Sequence, residues 1–450
     1  MFRPRLPMLR KGVSTACLSF LSRGAWFAAL GLFACSGSNV SPPDAAATVD
    51  AAVVDGGMSA TIPTSDHPTA RTAALYAYLA RQVGRPSALF GQQHASWEGN
   101  GIQYNAFESD VRRALAPVKG TGARHPALFG WNFDTWYRGS ATLRAALRQR
   151  IIDTDAQGGI NTLHWPMGNF AKDCGSPCGD NDNTDGLDPV ALVATNMPIY
   201  DGRNAGVVFD GLVDALAAFL ADLRSADGEP IPIVLRPFHE MNRETPGLTA
   251  HWWTGRNPDH YRAMFQRMVD RLRVTHGLRN VIVAFAPSAK PLFTGTDTPA
   301  NLYARYWPET VPATAAQRYV DIAAFDHYFL DDEEAVTLFN AIDTTFAFAT
   351  ASARVVPRVT AVAETGRKDG TGSPCTGGPV CYQNGAFWTS RVLPGMDANG
   401  SAAWSRIAYM LTWTNGTFST YPGAPATQAS DFVAWFDSPA TLFLGEGDTF

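Results

Sequence analysis

Two glutamates and their neighbours are the part of this 450-residue chain best equipped for chemistry. The stretch Pro232-Ile233-Val234-Leu235-Arg236-Pro237-Phe238-His239-Glu240-Met241-Asn242 opens as an apolar run and turns abruptly into Arg, His, Glu and Asn. Charged side chains are costly inside a protein unless paired or used. A core strand with this ending therefore aims its end at a polar cavity, and Arg236 and His239 are placed to orient the acid. His251, Trp252 and Trp253 follow closely. Flat aromatic faces beside a carboxylate suit a sugar ring, which is apolar on its C–H faces and polar at its edge. The alternative for Glu240 is a loop ion pair with Arg236.

The second acid, Glu364, ends the run Val362-Ala363-Glu364-Thr365-Gly366 in the same manner. A retaining glycosidase needs two carboxyl groups about 5–5.5 Å apart, one as acid/base and one as nucleophile. Other chemistries are less well served. A metal site would call for more clustered His and carboxylate ligands, and a serine nucleophile for a Gly-x-Ser-x-Gly elbow, which is absent. The reading thus needs no metal and no cofactor.

The elements that must hold these acids alternate. Short apolar runs at 88–94, 126–133, 159–165, 231–238, 281–287, 320–326, 359–364 and 407–413 read as strands. Stretches at 71–83, 144–155, 209–223, 258–275, 333–347 and 429–436 read as helices. Eight strands alternating with helices predict an α/β fold, a (β/α)8 TIM barrel forming a single catalytic domain over residues 66–450. In such a barrel functional side chains gather at the C-terminal strand ends. His94, Asp134, His164, Glu240, Asp326 to Tyr328, Glu364 and Trp413 all fall there. A doubly wound sheet that binds a dinucleotide would carry a Gly-rich phosphate loop after its first strand, and Gly91-Gln92-Gln93 is no such loop.

The composition, 46% hydrophobic and 17% charged, supports a large core. A formal net charge of -5 recommends no nucleic-acid partner. At the N-terminus, Arg3, Arg5, Arg10, Lys11 and Arg23 precede an apolar run from Ala25 to Cys35, the pattern of a secretory signal. Leu32-Phe33-Ala34-Cys35 resembles a bacterial lipoprotein signal, which implies lipidation at Cys35. The alternative is an ordinary cleaved signal. Residues 36–65 lack large apolar side chains and read as a flexible tether. The expectation is an exported monomer, lipid-anchored at the outer membrane or cell surface, or secreted. In that compartment Cys174 with Cys178, and Cys375 with Cys381, read as two local disulfides. A four-Cys zinc site is the less fitting alternative, because these spacings are not a standard zinc pattern.

Arg236-Pro237-Phe238-His239-Glu240-Met241-Asn242 followed by Trp252-Trp253 resembles glycoside hydrolase family 26, mostly β-mannanases. The resemblance continues in Phe90-Gly91-Gln92-Gln93, Leu163-His164-Trp165, Tyr306-Trp307-Pro308, Tyr319-Val320-Asp321-Ile322, Ala363-Glu364-Thr365-Gly366 and Leu411-Thr412-Trp413-Thr414-Asn415. It covers about residues 88–437. The His-Glu pair is its most specific element, since most other families of the clan carry Asn before this Glu. The resemblance implies a (β/α)8 barrel with Glu240 as acid/base and Glu364 as nucleophile. It also implies a subsite lined by His164, His239, Tyr328 and Trp413. One departure is Thr414, where some members carry Arg. The expected activity is retaining endo-cleavage of β-1,4-mannan. The same machinery acting on mixed-linkage glucan or β-1,3-xylan, and a non-catalytic glycan-binding lipoprotein, are the alternatives. Possession of both glutamates argues against the last.

Overall fold

The computed structural model describes residues 67–96, 107–175, 177–182, 187–243, 251–289, 299–310, 313–314, 318–329, 336–351, 356–367, 387–393, 403–413 and 426–446. The expected signal segment and tether, Cys35, Cys375, Cys381 and Thr414 lie outside them.

Eight strands follow the order of the chain: β1 (Ala88–Gln93), β2 (Leu128–Asn132), β3 (Ile160–Trp165), β4 (Ile233–Pro237), β5 (Val281–Phe285), β6 (Ile322–Phe329), β7 (Val359–Arg367) and β8 (Tyr409–Thr412). Each pairs in parallel with the next, and β1 pairs with both β2 and β8, which closes the barrel. A short strand at Thr441–Leu442 adds to β1. The helices on the outside cover the strands on their second face, which is why the strand sequences are near-continuous apolar runs.

The expected elements recur with shifted ends. Helix α1 (Ala70–Gln82) is capped by Thr69, whose Oγ1 accepts from Thr72 N at 3.1 Å. It buries Leu75, Tyr76 and Leu79 with the strand residues that fill the barrel. Tyr76 donates to the Asp321 carbonyl at 3.2 Å, pinning α1 at the N-terminal ends of the strands. The run at 126–133 does not stay extended to its end. Asn132 accepts from Asp134 N at 2.8 Å and starts helix α3 (Phe133–Arg138). Asp134 therefore sits in the first turn of a helix and pairs with Arg138. Helices α2 (Asp110–Lys119), α5 (Pro189–Thr195) and α8 (Pro299–Tyr306) were not among the expected elements.

Alternation decides what the mouth of the barrel receives. On β4, Ile233 and Leu235 pack outward against helices while Val234 faces the interior, so Arg236 faces inward too. On β7, Val359, Ala361 and Ala363 face the interior and Val362 faces out. Strict alternation would send Glu364 outward. The pairing skips a residue instead: Phe325 opposes Val362, and Asp326 opposes Glu364. The same extra residue appears against β8. This β-bulge at Ala363 resets the parity and turns Glu364 into the mouth.

Candidate active site

Glu364 is held at both oxygens. Tyr328, the seventh residue of β6, donates its hydroxyl to Oε2 at 2.6 Å. Arg236 bonds Oε1 through Nη2 and reaches Asp326 through Nη1 at 3.0 Å. His239 Nε2 lies 3.9 Å from the same Oε1. Burial works against the charge on Arg236, but Asp326 and Glu364 outweigh it and raise its pKa. Burial pushes the Asp326 carboxyl well above the ordinary range against the pull of Arg236, with Glu364 adding to the rise. Burial likewise pushes the Tyr328 phenol up, and both Glu364 and Glu240 reinforce it, so Tyr328 keeps its proton to donate. His164 and His239 are pushed well below their ordinary value by burial, with Arg236 adding to it, and stand neutral near pH 7.

Glu240 arrives on a contorted loop. Phe238 has φ 46° and Glu240 has φ 55°, both left-handed and costly for residues with a side chain. The surroundings compensate. Glu240 N donates to Ala286 O at 2.8 Å, and Asn242 exchanges two bonds of 2.8 Å with the Ser288 backbone. Tyr261 donates to Phe238 O at 3.0 Å and Trp253 Nε1 to His239 O at 2.8 Å.

That last bond corrects an expectation. Trp252 and Trp253 are both 0% exposed, and Trp252 Nε1 donates to Met167 O at 2.6 Å. Neither indole offers a face to a sugar. They are the buttress beneath the loop. Trp253 instead carries His251 stacked on it, with centroids 4.4 Å apart and planes 8° apart. Arg236 orients an acid, but that acid is Glu364 and not its close neighbour Glu240: its terminal nitrogens bond Asp326 and Glu364. The alternative of an Arg236–Glu240 pair does not occur: Glu240 Oε2 is bonded by Arg243.

His164 is oriented from below, its Nδ1 2.8 Å from the Gln93 side-chain amide and 2.9 Å from Trp131 O. A Cβ on Gly130 would come within 2.0 Å of Gln93 Oε1, so this position demands glycine. Trp413 is half-buried, its ring 5.3 Å from His164 and 6.1 Å from His94. His94, His164 and Trp413 thus lie together, and the His239 ring is 5.9 Å from that of His164. Gln93, Arg243 and Asp180, whose carboxylate lies 2.9 Å from His251 Nδ1, had no assigned role in the sequence. Gln93 stood in a quoted motif and Arg243 lies three residues from Glu240, whereas Asp180 meets His251 across 71 positions. His239, Asp326 and Glu364 each present a ligand atom within 4.8 Å of the others. Arg236 already bonds both carboxylates, so the positive charge they call for is supplied by the protein. Cys174 and Cys178 form a disulfide. A groove of about 850 Å3 on the barrel flank, lined by Tyr137, Arg138, Phe170 and Tyr200, contains neither glutamate.

The model of the family described as Glycosyl hydrolase family 26 matches residues 64–365. The chain is 27% identical over 406 residues to a mannan endo-1,4-beta-mannosidase of Bifidobacterium adolescentis, covering 84% of this chain and 35% of that one. It is 27% identical over 239 residues to one of Thermothelomyces thermophilus, covering 52% and 44%. The chain thus spans well under two thirds of the length of these curated relatives. Among solved structures, an endo-beta-1,4-mannanase double mutant of Cellulomonas fimi superposes with a TM-score of 0.66 at 26% identity, over 86% of this chain and 78% of that one.

Proposed function

The chain belongs to glycosyl hydrolase family 26, and on this site we propose that it is a retaining endo-β-1,4-mannanase with Glu364 as nucleophile and Glu240 as acid/base. One observation supports the reading: His239 presents a ring nitrogen within 4.8 Å of a Glu240 oxygen and one within 4.8 Å of a Glu364 oxygen, so the two acids flank one imidazole at the barrel mouth. A sugar ring there is walled by His164, His239, Tyr328 and Trp413. The Glu364 carboxylate attacks the anomeric carbon as the glycosidic C–O bond breaks, and Glu240 gives its proton to the leaving oxygen. Water then attacks the glycosyl-enzyme, returns a proton to Glu240 and frees Glu364, with retained configuration. Tyr328 and Arg236 keep Glu364 aimed through both steps. The mannan substrate is supported by the names of the two curated relatives.

Reducing-end release from mannan, glucomannan, lichenan and xylan tests the substrate: mannan and glucomannan should be cut and the others left. Cleavage of lichenan or xylan alone would overturn that assignment. Glu364→Ala should abolish hydrolysis of every substrate. Glu240→Ala should spare the first step on an aryl glycoside with a good leaving group, give a burst of aryl alcohol, and yield a β-glycosyl azide with azide. An azide product of inverted configuration from Glu240→Ala reverses the roles.

The same reading includes a lipid anchor at Cys35 and a Cys375–Cys381 bridge. Cys35→Ser should release the protein from the membrane fraction. Peptide mapping without reduction should recover the bridge, and free thiols there would refute it.

A further inference from the structure

Arg243 touches the proposed acid/base from the outer side. Its Nη1 bonds Glu240 Oε2, and Glu240 and Arg243 each sit in partial reach of solvent, with side-chain exposures of 7% and 23%. Among the described residues, the buried Nε of Arg243 has no hydrogen-bond partner. A buried donor left in that state is unfavourable until it finds a partner. His251 Nε2 stands 3.9 Å from the same Glu240 oxygen, with its own Nδ1 against Asp180 and its ring clamped on Trp253. Glu240 is thus flanked by a long, adaptable cation and by a rigid imidazole.

We propose that Arg243 is a positioning residue that binds Glu240 in the free enzyme and moves onto the leaving-group sugar when polymer binds. This rests on the acid/base reading of Glu240 given above. The chemistry is direct. A carboxylate bonded to a guanidinium is the wrong form to protonate a leaving oxygen, so the pair must open before the glycosidic bond breaks. An acid/base delivers its proton on the leaving-group side. A group bonded to its outer oxygen therefore stands where that sugar arrives. The hydroxyls of the sugar satisfy both the released Nη1 and the unmet Nε. Glu240 takes its proton from solvent as the pair opens, and His251 stays in place to hold the carboxyl. Among the described residues, the other charged or titratable groups of this site are Arg236 and His239 from β4 and its loop, Asp326 and Tyr328 from β6, and Glu364 from β7. Arg243 also acts on His239, Asp326, Tyr328 and Glu364, so Arg243→Lys, which keeps the charge, is the control for its effect on them.

The test is the pH profile of kcat/KM on the polysaccharide best cleaved in the panel, for wild type, Arg243→Met and Arg243→Lys. The basic limb of that profile reports deprotonation of the acid in the free enzyme. Loss of an adjacent guanidinium favours the protonated carboxyl, so Arg243→Met should move the limb upward by roughly one unit or more. The enzyme would stay active at higher pH, while its KM for polymer rises several-fold. Arg243→Lys should keep the limb near the wild-type position. An aryl glycoside, with no leaving-group sugar, should show no rise in KM. If Arg243→Met does not fold, Arg243→Gln makes the same comparison. A folded neutral variant whose basic limb stays put overturns the proposal, as does a Lys variant that shifts equally. Should Glu240→Ala hydrolyse polymer like wild type, both the acid/base reading and this inference fall. Should Glu240→Ala behave as expected while the limb stays put, only this inference falls.

Discussion

The barrel buries ion pairs at both ends, and the two ends treat them differently. At the N-terminal end Glu309 is fully engaged. Its Oε1 accepts from Tyr319 N at 2.7 Å and Val320 N at 2.8 Å, and its Oε2 from Arg358 at 2.8 Å and Trp307 at 3.1 Å. Nearby, Asp321 Oδ2 accepts from Arg273 at 2.9 Å and Val283 N at 2.7 Å. At the mouth, Arg236 bridges Asp326 and Glu364, but Asp326 Oδ1 and His239 Nδ1 are buried without a hydrogen-bond partner among the described residues. Three non-glycine residues there, His94, Phe238 and Glu240, have left-handed backbones. A fully bonded buried pair is an answer to the cost of burying charge. An incompletely bonded one keeps donors and acceptors free for something that is not yet there. The difference separates the end that holds the fold from the end that carries the proposed chemistry.

Paired substitutions sharpen this. Glu309→Gln leaves Arg358 buried with a weakened partner and should cost about 3–5 kcal/mol of stability, with kcat of the folded fraction unchanged. Asp326→Asn should do the reverse: a change in stability within about 1 kcal/mol, and a fall in kcat on the order of 10²-fold as Arg236 loses its hold on Glu364. Chemical denaturation and steady-state rates on the same two proteins decide it. Equal destabilisation by both would erase the contrast between the ends.

A smaller effect tests the buttress. Trp253→Phe keeps a ring under His251 and removes one hydrogen bond to His239 O, worth about 1 kcal/mol. The loop carrying Glu240 should loosen, kcat should drop several-fold, and KM should hardly move. A KM effect with kcat intact would restore the indole as a sugar contact.

A last test concerns pH at the structural end. His125, just before β2, packs against Phe107 at 4.6 Å and bonds Ser109 at 2.8 Å. Burial lowers its pKa from 6.5 to about 4, against a small opposing pull from Glu108. The folded state thus binds the proton more weakly than the unfolded chain. Its contribution to stability is complete above pH 6.5 and is lost as pH falls toward 4. His125→Phe should flatten the decline of the unfolding midpoint across that window, while rates at neutral pH stay level. An unchanged decline assigns the acid sensitivity to other groups.

Much of this architecture was legible because its signals are local. An apolar run that ends in an acid identifies a strand and its functional end whatever surrounds it, so Glu240, Glu364, His164, Tyr328 and the eight-strand order followed from the residues alone. Short helices escaped: α5 is seven residues long, too few for a period to repeat. Trp252 and Trp253 were read as a sugar platform because a sequence reveals that a residue is aromatic, not which of its faces is covered. Cover came from Met167, Phe238 and Phe170, one of them 85 positions away.

What the sequence by itself determined, then, is which residues stand near strand ends, since a strand has a two-residue period and hydrophobicity marks it. Which way they face and whom they meet was decided by tertiary structure. The bulge at Ala363 arises only from the pairing of β7 with β6 and β8, and without it Glu364 would point into the helical layer. Arg236 met Glu364 rather than Glu240 because both face the barrel axis, 128 positions apart, while the left-handed turn at Phe238 and Glu240 carried its close neighbour away toward Arg243. Side-chain direction in a closed sheet depends on the register of every strand around it, and register is a property of pairs, not of any one segment.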